Sequence, residues 1–138
     1  MNVEKQRQIQ NWLLKSHSDL GSARQLLKGP RPFLDTAVYH CQQAAEKVLK
    51  AFLTYHDTPF AKTHDLTELV KLAESVEPAF TMWMETAQKL TPYAVQFRYP
   101  GDVLEPESDE ARHALQQAAA LSAFVLQLLP DETKPSGT

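Results

Sequence analysis

Four polar side chains share one face of a predicted helix in the first half of the chain. The stripe follows i, i+3, i+7 and i+10 spacing and consists of His40, Gln43, Lys47 and Lys50. Two ammonium groups and an amide on one face could hold a phosphate and the edge of a base. The alternative is a solvated face on which Glu46 pairs with Lys50 one turn later. His40 taken alone is typical of a half-buried histidine with satisfied hydrogen bonds.

A second polar segment, Lys62-Thr63-His64, lies just before a predicted short helix. A helix N-terminus attracts anions because its first backbone N–H groups are free and its dipole is positive there. Lys62 and His64 beside that end could complete a phosphate site. The alternative is structural, with Thr63 capping the helix and Lys62 as a surface lysine.

The third polar segment, Arg98-Tyr99-Pro100, interrupts the chain before the last predicted helix. A guanidinium can bind a phosphate through two hydrogen bonds, and a phenol can stack on a base. Pro100 restricts the backbone that presents them. The alternative is that Arg98 pairs with an acid such as Asp19 and joins the first helix to the fourth.

Other catalytic chemistries find little support in the sequence. The chain has one cysteine, Cys41, and its five histidines lack the spacing of a metal site. Four glycines form no phosphate-binding loop. Cys41 occupies an apolar helix position, which predicts core packing rather than a nucleophile. We therefore expect no metal site and no cofactor.

Composition is that of an ordinary soluble domain. The 138 residues are 43% hydrophobic and 22% charged, which suits a single domain with its own core. A net charge of -3 argues against a broad basic surface for duplex nucleic acid and leaves room for a small basic pocket. The lone cysteine favours a reducing cytoplasm. The N-terminus lacks a signal-peptide pattern, and the apolar run 118–129 is too short to span a membrane.

Apolar residues at helical spacing predict an all-α fold, an up-and-down bundle of four to five helices. We expect a single domain over residues 1–129 and a flexible C-terminal tail over 130–138. Thr63 is the predicted cap of the third helix, and Pro78 the start of the next. Ser108 is predicted to cap the last helix. The predicted helices cover 4–27, 34–55, 63–75, a segment from 78 that Pro92 interrupts, and 108–129.

Together, three ordered segments resemble the HEPN family, whose name stands for higher eukaryotes and prokaryotes nucleotide-binding. The resemblance extends over residues 12–128, and Trp12 with Asp19-Leu20 matches the family's opening pattern. Its most specific parts are residues 42–50, Lys62-Thr63-His64-Asp65-Leu66 and Arg98-Tyr99-Pro100.

The resemblance implies a helical bundle that forms an isologous dimer. It also implies a small nucleotidyltransferase as partner, with the domain as its substrate-binding companion or as the toxin of a toxin–antitoxin pair. Many members are metal-independent ribonucleases whose site is an arginine followed by a histidine, and Arg98 would be that arginine. The histidine is expected at 103 to 105, where this sequence has Val103, Leu104 and Glu105. The chain therefore resembles the branch marked by arginine-tyrosine-proline, for which binding is the usual proposal.

Three hypotheses follow. The first is a noncatalytic module that binds a nucleotide or short RNA, or serves a nucleotidyltransferase, without membrane attachment. The second is a ribonuclease that uses Arg98 with a displaced histidine, His40 or His64. The third makes the polar stripe the seam of a purely structural dimer. The binding residues predicted by the first are Gln43, Lys47, Lys50, Lys62, His64, Arg98 and Tyr99.

A homodimer is also predicted from apolar surface. The second and last helices carry more apolar side chains than a short bundle easily covers, and exposed apolar patches usually mark interfaces. The residues behind this expectation are Cys41, Phe52, Phe124 and Val125.

Overall fold

The spacing of apolar residues produces five α-helices in the part of the chain that the structure describes. The structure is a computed structural model, and it describes residues 1–100 and 105–136. No strand occurs within these two ranges, so the predicted all-α fold is confirmed. The helices are α1 (Val3–Leu26), α2 (Leu34–Tyr55), α3 (Leu66–Val76), α4 (Met84–Leu90) and α5 (Ser108–Gln127). Short 3-10 helices cover Pro78–Trp83, Thr91–Ala94 and Asp131–Thr133.

Helix α2 is the centre of the bundle. It buries 14 of its 22 residues, because it packs against α1, α3 and α5 on different sides. Cys41 is fully buried on this helix, and burial raises the pKa of its thiol to about 12. The prediction that Cys41 belongs to the core is therefore confirmed. After α1, the chain turns at Gly29, and α2 then packs along α1. Gly29 has a φ of 85°, a conformation that favours glycine.

Helix ends differ from the predictions where capping groups compete. The cap of α3 is Asp65, whose Oδ1 accepts from the Thr67 N–H at 2.9 Å, while the predicted cap Thr63 accepts from the Asp65 N–H. Pro78 begins a 3-10 turn before α4, and Thr91–Ala94 forms another around Pro92, because proline cannot donate to the preceding turn.

The last helix is shorter and differently capped than predicted. Helix α5 ends at Gln127, two residues before the predicted end, and its N-cap is Glu107, which makes no side-chain capping bond. Beyond it, Thr133 is buried and the Glu132 carbonyl accepts from Gln6 Nε2 at 2.6 Å, so this segment contacts α1. The boundary at 129 and the flexibility of 130–138 stay predictions, and residues 137–138 lie outside the described residues.

The apolar residues that motivated the homodimer are mostly covered within one protomer. Cys41, Phe52 and Val125 are buried in the core, and Phe124 packs its ring against Phe80 and Trp83. That argument for a dimer was therefore wrong, because α2 lies at the centre of the bundle and α5 packs on it. No helix in the described ranges is long and apolar enough to cross a membrane.

Candidate functional site

Asp19 joins α1 to two side chains of α2. Its Oδ1 lies 2.8 Å from Nδ1 of His40, and its Oδ2 lies 2.6 Å from Nζ of Lys47. His40 and Lys47 are two turns apart, so they bracket the carboxylate from one face of α2. Asp19 is buried, whereas His40 and Lys47 are partly exposed. Because an ionised carboxylate only accepts, His40 Nδ1 donates to Asp19, and in a neutral imidazole Nε2 is then left as an acceptor.

His40 also lines a cavity of about 340 Å³ that contains Arg98. The Arg98 guanidinium carbon lies 3.8 Å from the centre of the Tyr39 ring, and Nη1 donates to the Ala94 carbonyl at 3.3 Å. This stacking holds the planar guanidinium in one orientation. The cavity, here named the Arg98 cavity, is lined by Asp35, Thr36, Tyr39, His40, Phe97 and Arg98.

The backbone just before Arg98 is strained. Phe97 has a φ of 69°, a left-handed conformation that costs a non-glycine residue on the order of 1–2 kcal/mol. It follows the 3-10 turn Thr91–Ala94 and reverses the chain so that Arg98 reaches the Tyr39 ring on α2. Strain of this kind concentrates at functional sites, which makes the Arg98 cavity the strongest candidate site.

A second polar cluster surrounds Glu46 on another face of α2. The carboxylate receives Nζ of Lys50 at 2.9 Å, Nδ1 of His64 at 2.8 Å and Nε2 of Gln42 at 3.3 Å. Glu46 and Lys50 are 4% and 6% exposed, so this is a buried ion pair. The Lys50 ammonium also lies 5.5 Å from the centre of the Trp12 ring. The cluster therefore ties α2 to the segment before α3 and to α1.

The charge of Glu46 is maintained despite its burial. Burial acts to raise the pKa of this carboxyl, but hydrogen bonds from His64 and Lys50, together with the Lys50 charge, outweigh it. The pKa of Glu46 therefore lies below its ordinary value of 4.5.

Comparison with known proteins gives the family. The model of the HEPN domain matches residues 9–128, which is most of the chain. This chain belongs to the HEPN family. A search of curated proteins gives no significant match.

Two crystal structures resemble this HEPN domain over nearly its whole length. TT1696 from Thermus thermophilus is 27% identical with a TM-score of 0.70, and the alignment covers 88% of this chain and 98% of that one. ST0689, described as an archaeal HEPN homologue, is 22% identical with a TM-score of 0.67, and the alignment covers 87% of this chain and 96% of that one. The predicted HEPN-like fold is confirmed.

The residues predicted as one stripe on α2 divide between the two clusters of this HEPN domain. His40 and Lys47 contact Asp19, while Lys50 contacts Glu46. Gln43 is buried and donates to Gln42 Oε1 at 2.8 Å. The alternative in which Lys50 pairs with Glu46 is therefore the one that the structure has. The pair is buried, whereas a solvated one was expected from the sequence.

The remaining predicted residues lie in different surroundings. The predicted Asp19–Arg98 pair is not formed, since Asp19 is occupied by His40 and Lys47 and the Arg98 guanidinium stacks on Tyr39. Of the two displaced histidines, His40 lies in the Arg98 cavity and His64 belongs to the Glu46 cluster. Lys62 and Tyr99 are exposed. The family's histidine was expected at 103 to 105; positions 103 and 104 lie outside the described residues, and Glu105 is exposed.

Four residues of the Arg98 cavity were missed from the sequence, namely Asp35, Thr36, Tyr39 and Phe97. Tyr39 supplies the ring under the guanidinium, and Asp35 and Thr36 line the wall at the start of α2. Thr36 lies one turn before His40 and Asp35 one turn before Tyr39, so i, i+4 spacing puts each pair on one face of α2 and was the signal that could have found them. The contact with Arg98 spans about sixty residues of sequence, and no local pattern predicts it.

Proposed function

We propose that this HEPN domain binds a nucleotide or short single-stranded RNA, with a phosphate held by Arg98 beside Tyr39 and His40. The observation that supports this most is the Arg98 guanidinium stacked 3.8 Å above Tyr39 in a cavity of about 340 Å³. A guanidinium fixed in this way loses little side-chain freedom when it binds a phosphate. We therefore propose the Arg98 cavity as the phosphate site, rather than Lys47 and Lys50.

Charge supports a small focused site. Lys47 and Lys50 are each held by a carboxylate, so their charges are largely compensated within the protein. Arg98 lies in a cavity whose wall includes the first turn of α2, where the positive end of the helix dipole favours an anion. Asp35 in the same wall opposes a high negative charge. A single phosphodiester suits this balance.

Binding should be weak and should fall with salt. We expect a short single-stranded RNA to bind in calorimetry at low ionic strength, with affinity dropping as salt rises, because each cation–phosphate contact releases counterions. A shallow salt dependence equivalent to about one phosphate contact is expected. Absence of heat at low salt and millimolar ligand would contradict the proposal.

The proposal includes a companion role beside a small nucleotidyltransferase, either substrate-binding or toxin–antitoxin-like. Family membership supports this, since the resemblance implies such a partner. The test is to co-express this protein with the product of the neighbouring gene and to purify one of them. We expect that product to be a small nucleotidyltransferase that co-purifies with this protein. A neighbouring gene product that is not a nucleotidyltransferase and does not co-purify would count against the role.

A homodimer is also proposed, on different grounds from the sequence argument. The large apolar side chains that are more than half exposed include those of Phe33, Val95 and Tyr99. In the sequence, Phe33 and Tyr99 are each within two residues of a residue that lines the Arg98 cavity. Light scattering at micromolar concentration should return twice the 15.6 kDa of one chain. A mass of one chain would exclude a stable dimer.

The alternative function is a metal-independent ribonuclease, and one observation favours it. Asp19 orients His40 through Nδ1, and the same ring lies in the cavity of Arg98. An imidazole oriented in this way can accept the 2′-hydroxyl proton while a guanidinium stabilises the phosphate. Protonation of the leaving oxygen needs a second group, and no second imidazole lines the cavity within the described residues.

We therefore expect no RNA cleavage above background by the purified protein in EDTA. A guanidinium does not give up its proton at neutral pH, so Arg98 cannot supply the missing acid. The assay compares wild-type protein with His40→Ala and, as a control histidine outside the cavity, His64→Ala. Cleavage that is lost in His40→Ala alone would establish the ribonuclease instead.

A further inference from the structure

A second cleft lies between α5 and the segment formed by α4 with the Thr91–Ala94 turn. It has a volume of about 310 Å³. It is lined by Thr86, Lys89, Leu90 and Tyr93 on one side and by Glu110, His113, Ala114 and Gln117 on the other. On each side, three of these residues follow i, i+4 and i+7 spacing. In a closely packed helix pair these positions would be apolar, whereas here six of the eight are polar. The feature is therefore a cleft with a defined polar lining, named here the α4–α5 cleft.

Two side-chain pairs bridge the cleft, while Lys89 and His113 also line it and Lys89 pairs with Glu85 at 3.4 Å. Thr86 Oγ1 donates to Gln117 Oε1 at 2.6 Å, which leaves the Gln117 amide N–H groups as donors. The Tyr93 hydroxyl donates to Glu110 Oε2, which leaves Oε1 as an acceptor. Burial and the nearby Glu110 raise the pKa of Tyr93 above its ordinary value, so its hydroxyl stays a donor at neutral pH. Leu90 and Ala114 supply an apolar floor.

The α4–α5 cleft adjoins the Arg98 cavity through two aromatic rings. Tyr93, which lines the cleft, stacks on Phe97 with ring centres 6.3 Å apart and planes 29° apart. Phe97 lines the Arg98 cavity. A phosphate at Arg98 and a base in the cleft would therefore lie on opposite sides of one pair of rings.

We infer that the α4–α5 cleft is a base subsite that prefers guanine, next to the phosphate site at Arg98; this inference rests on the proposed function. Glu110 and Gln117 lie two turns apart, about 10 Å along the axis of α5. That separation suits opposite edges of a purine. Guanine presents N1–H and N2–H donors on one edge for the carboxylate and the acceptors O6 and N7 on the other for the amide.

Other bases match this lining less well. Uracil is smaller and has one ring N–H donor, so it cannot satisfy both Glu110 and Gln117 across the cleft. Adenine shares the N7 acceptor but has an acceptor at N1, where guanine has a donor. The cleft volume is at the lower end of ligand sites, about 300 Å³ and above, which suits a single base rather than a whole nucleotide.

The test uses nucleosides, which lack phosphate and so report on the cleft alone. In an amide NMR titration of wild-type protein, guanosine should shift resonances of Leu90, Ala114 and Gln117 at a concentration about tenfold below that needed for uridine. Glu110→Gln should weaken guanosine about tenfold or more, because it replaces the acceptor for two N–H groups. Asp109→Asn removes the same charge from the neighbouring position outside the cleft and should leave guanosine binding unchanged.

A second variant protects the test if Glu110→Gln disturbs folding. Gln117→Glu keeps an oxygen for Thr86 and replaces the amide donors by a carboxylate that can only accept, so it too should weaken guanosine about tenfold. Equal affinity for guanosine and uridine, or no shift at the cleft, would overturn the inference while RNA binding could still support the proposed function. Guanosine binding in the cleft with no RNA binding that depends on Arg98 would support a base site and contradict the proposed function.

Discussion

Replacing Arg98 by alanine is expected to reduce the affinity for short single-stranded RNA at least about thirtyfold. A bidentate guanidinium–phosphate contact contains two charge-assisted hydrogen bonds, each worth about 1.5–3 kcal/mol, and alanine removes both. Arg98→Lys should give an intermediate loss, because an ammonium keeps the charge but cannot stack on Tyr39 or bind through two parallel bonds. Calorimetry at one fixed low salt concentration measures all three proteins.

The matched control for this experiment is Arg112→Ala. Arg112 is also an exposed arginine that donates to a backbone carbonyl, that of Leu27 at 3.5 Å, and it does not line the Arg98 cavity. The two variants have the same net charge, so a nonspecific electrostatic effect would weaken both equally. Equal affinities would place the site elsewhere, and loss of the helical circular dichroism signal in Arg98→Ala alone would assign Arg98 a structural role.

Periodicity predicted the helices well because burial repeats along them. Helix α2 was predicted over 34–55 and occurs as Leu34–Tyr55, since its apolar residues leave little choice of register. The N-terminus of α3 was less predictable, because Thr63 and Asp65 are both good N-cap residues and only the local hydrogen bonds decide between them. Short 3-10 turns at Pro78 and Pro92 have no periodic pattern of their own.

The candidate site was only partly predictable from the sequence. A helical stripe shows which residues share a face, but not which other element covers each part of it. Lys47 faces Asp19 of α1, whereas Lys50, three residues later, is covered by Trp12 and Phe60. Arg98 was identified by its residue type, yet its partner Tyr39 became evident only in the folded chain.

The largest effect on stability is expected at Glu46. Glu46→Ala would leave the Lys50 ammonium buried without its carboxylate, and removing one member of a buried pair costs about 3–5 kcal/mol. The exposed pair Glu85–Lys89 has the same i, i+4 spacing and direction, with side chains that are 80% and 58% exposed. Glu85→Ala should therefore cost under about 1 kcal/mol in urea unfolding. Similar losses for the two variants would contradict a buried, energetically coupled Glu46–Lys50 pair.

The loss of stability in Glu46→Ala is expected to depend on pH. The folded-state pKa of Glu46 lies below the ordinary 4.5, so its ionised form contributes stability that is fully present above pH 4.5 and is lost as pH falls through the lower folded value. The difference in free energy of unfolding between wild-type protein and Glu46→Ala should therefore shrink below pH 4.5.

A double variant, Glu46→Leu with Lys50→Met, removes both charges and should recover most of the stability at neutral pH, because apolar replacements of a buried pair are often neutral or stabilising. A double variant as unstable as Glu46→Ala would show that the hydrogen bond between Glu46 and His64, rather than the burial of an unpaired lysine, accounts for the loss.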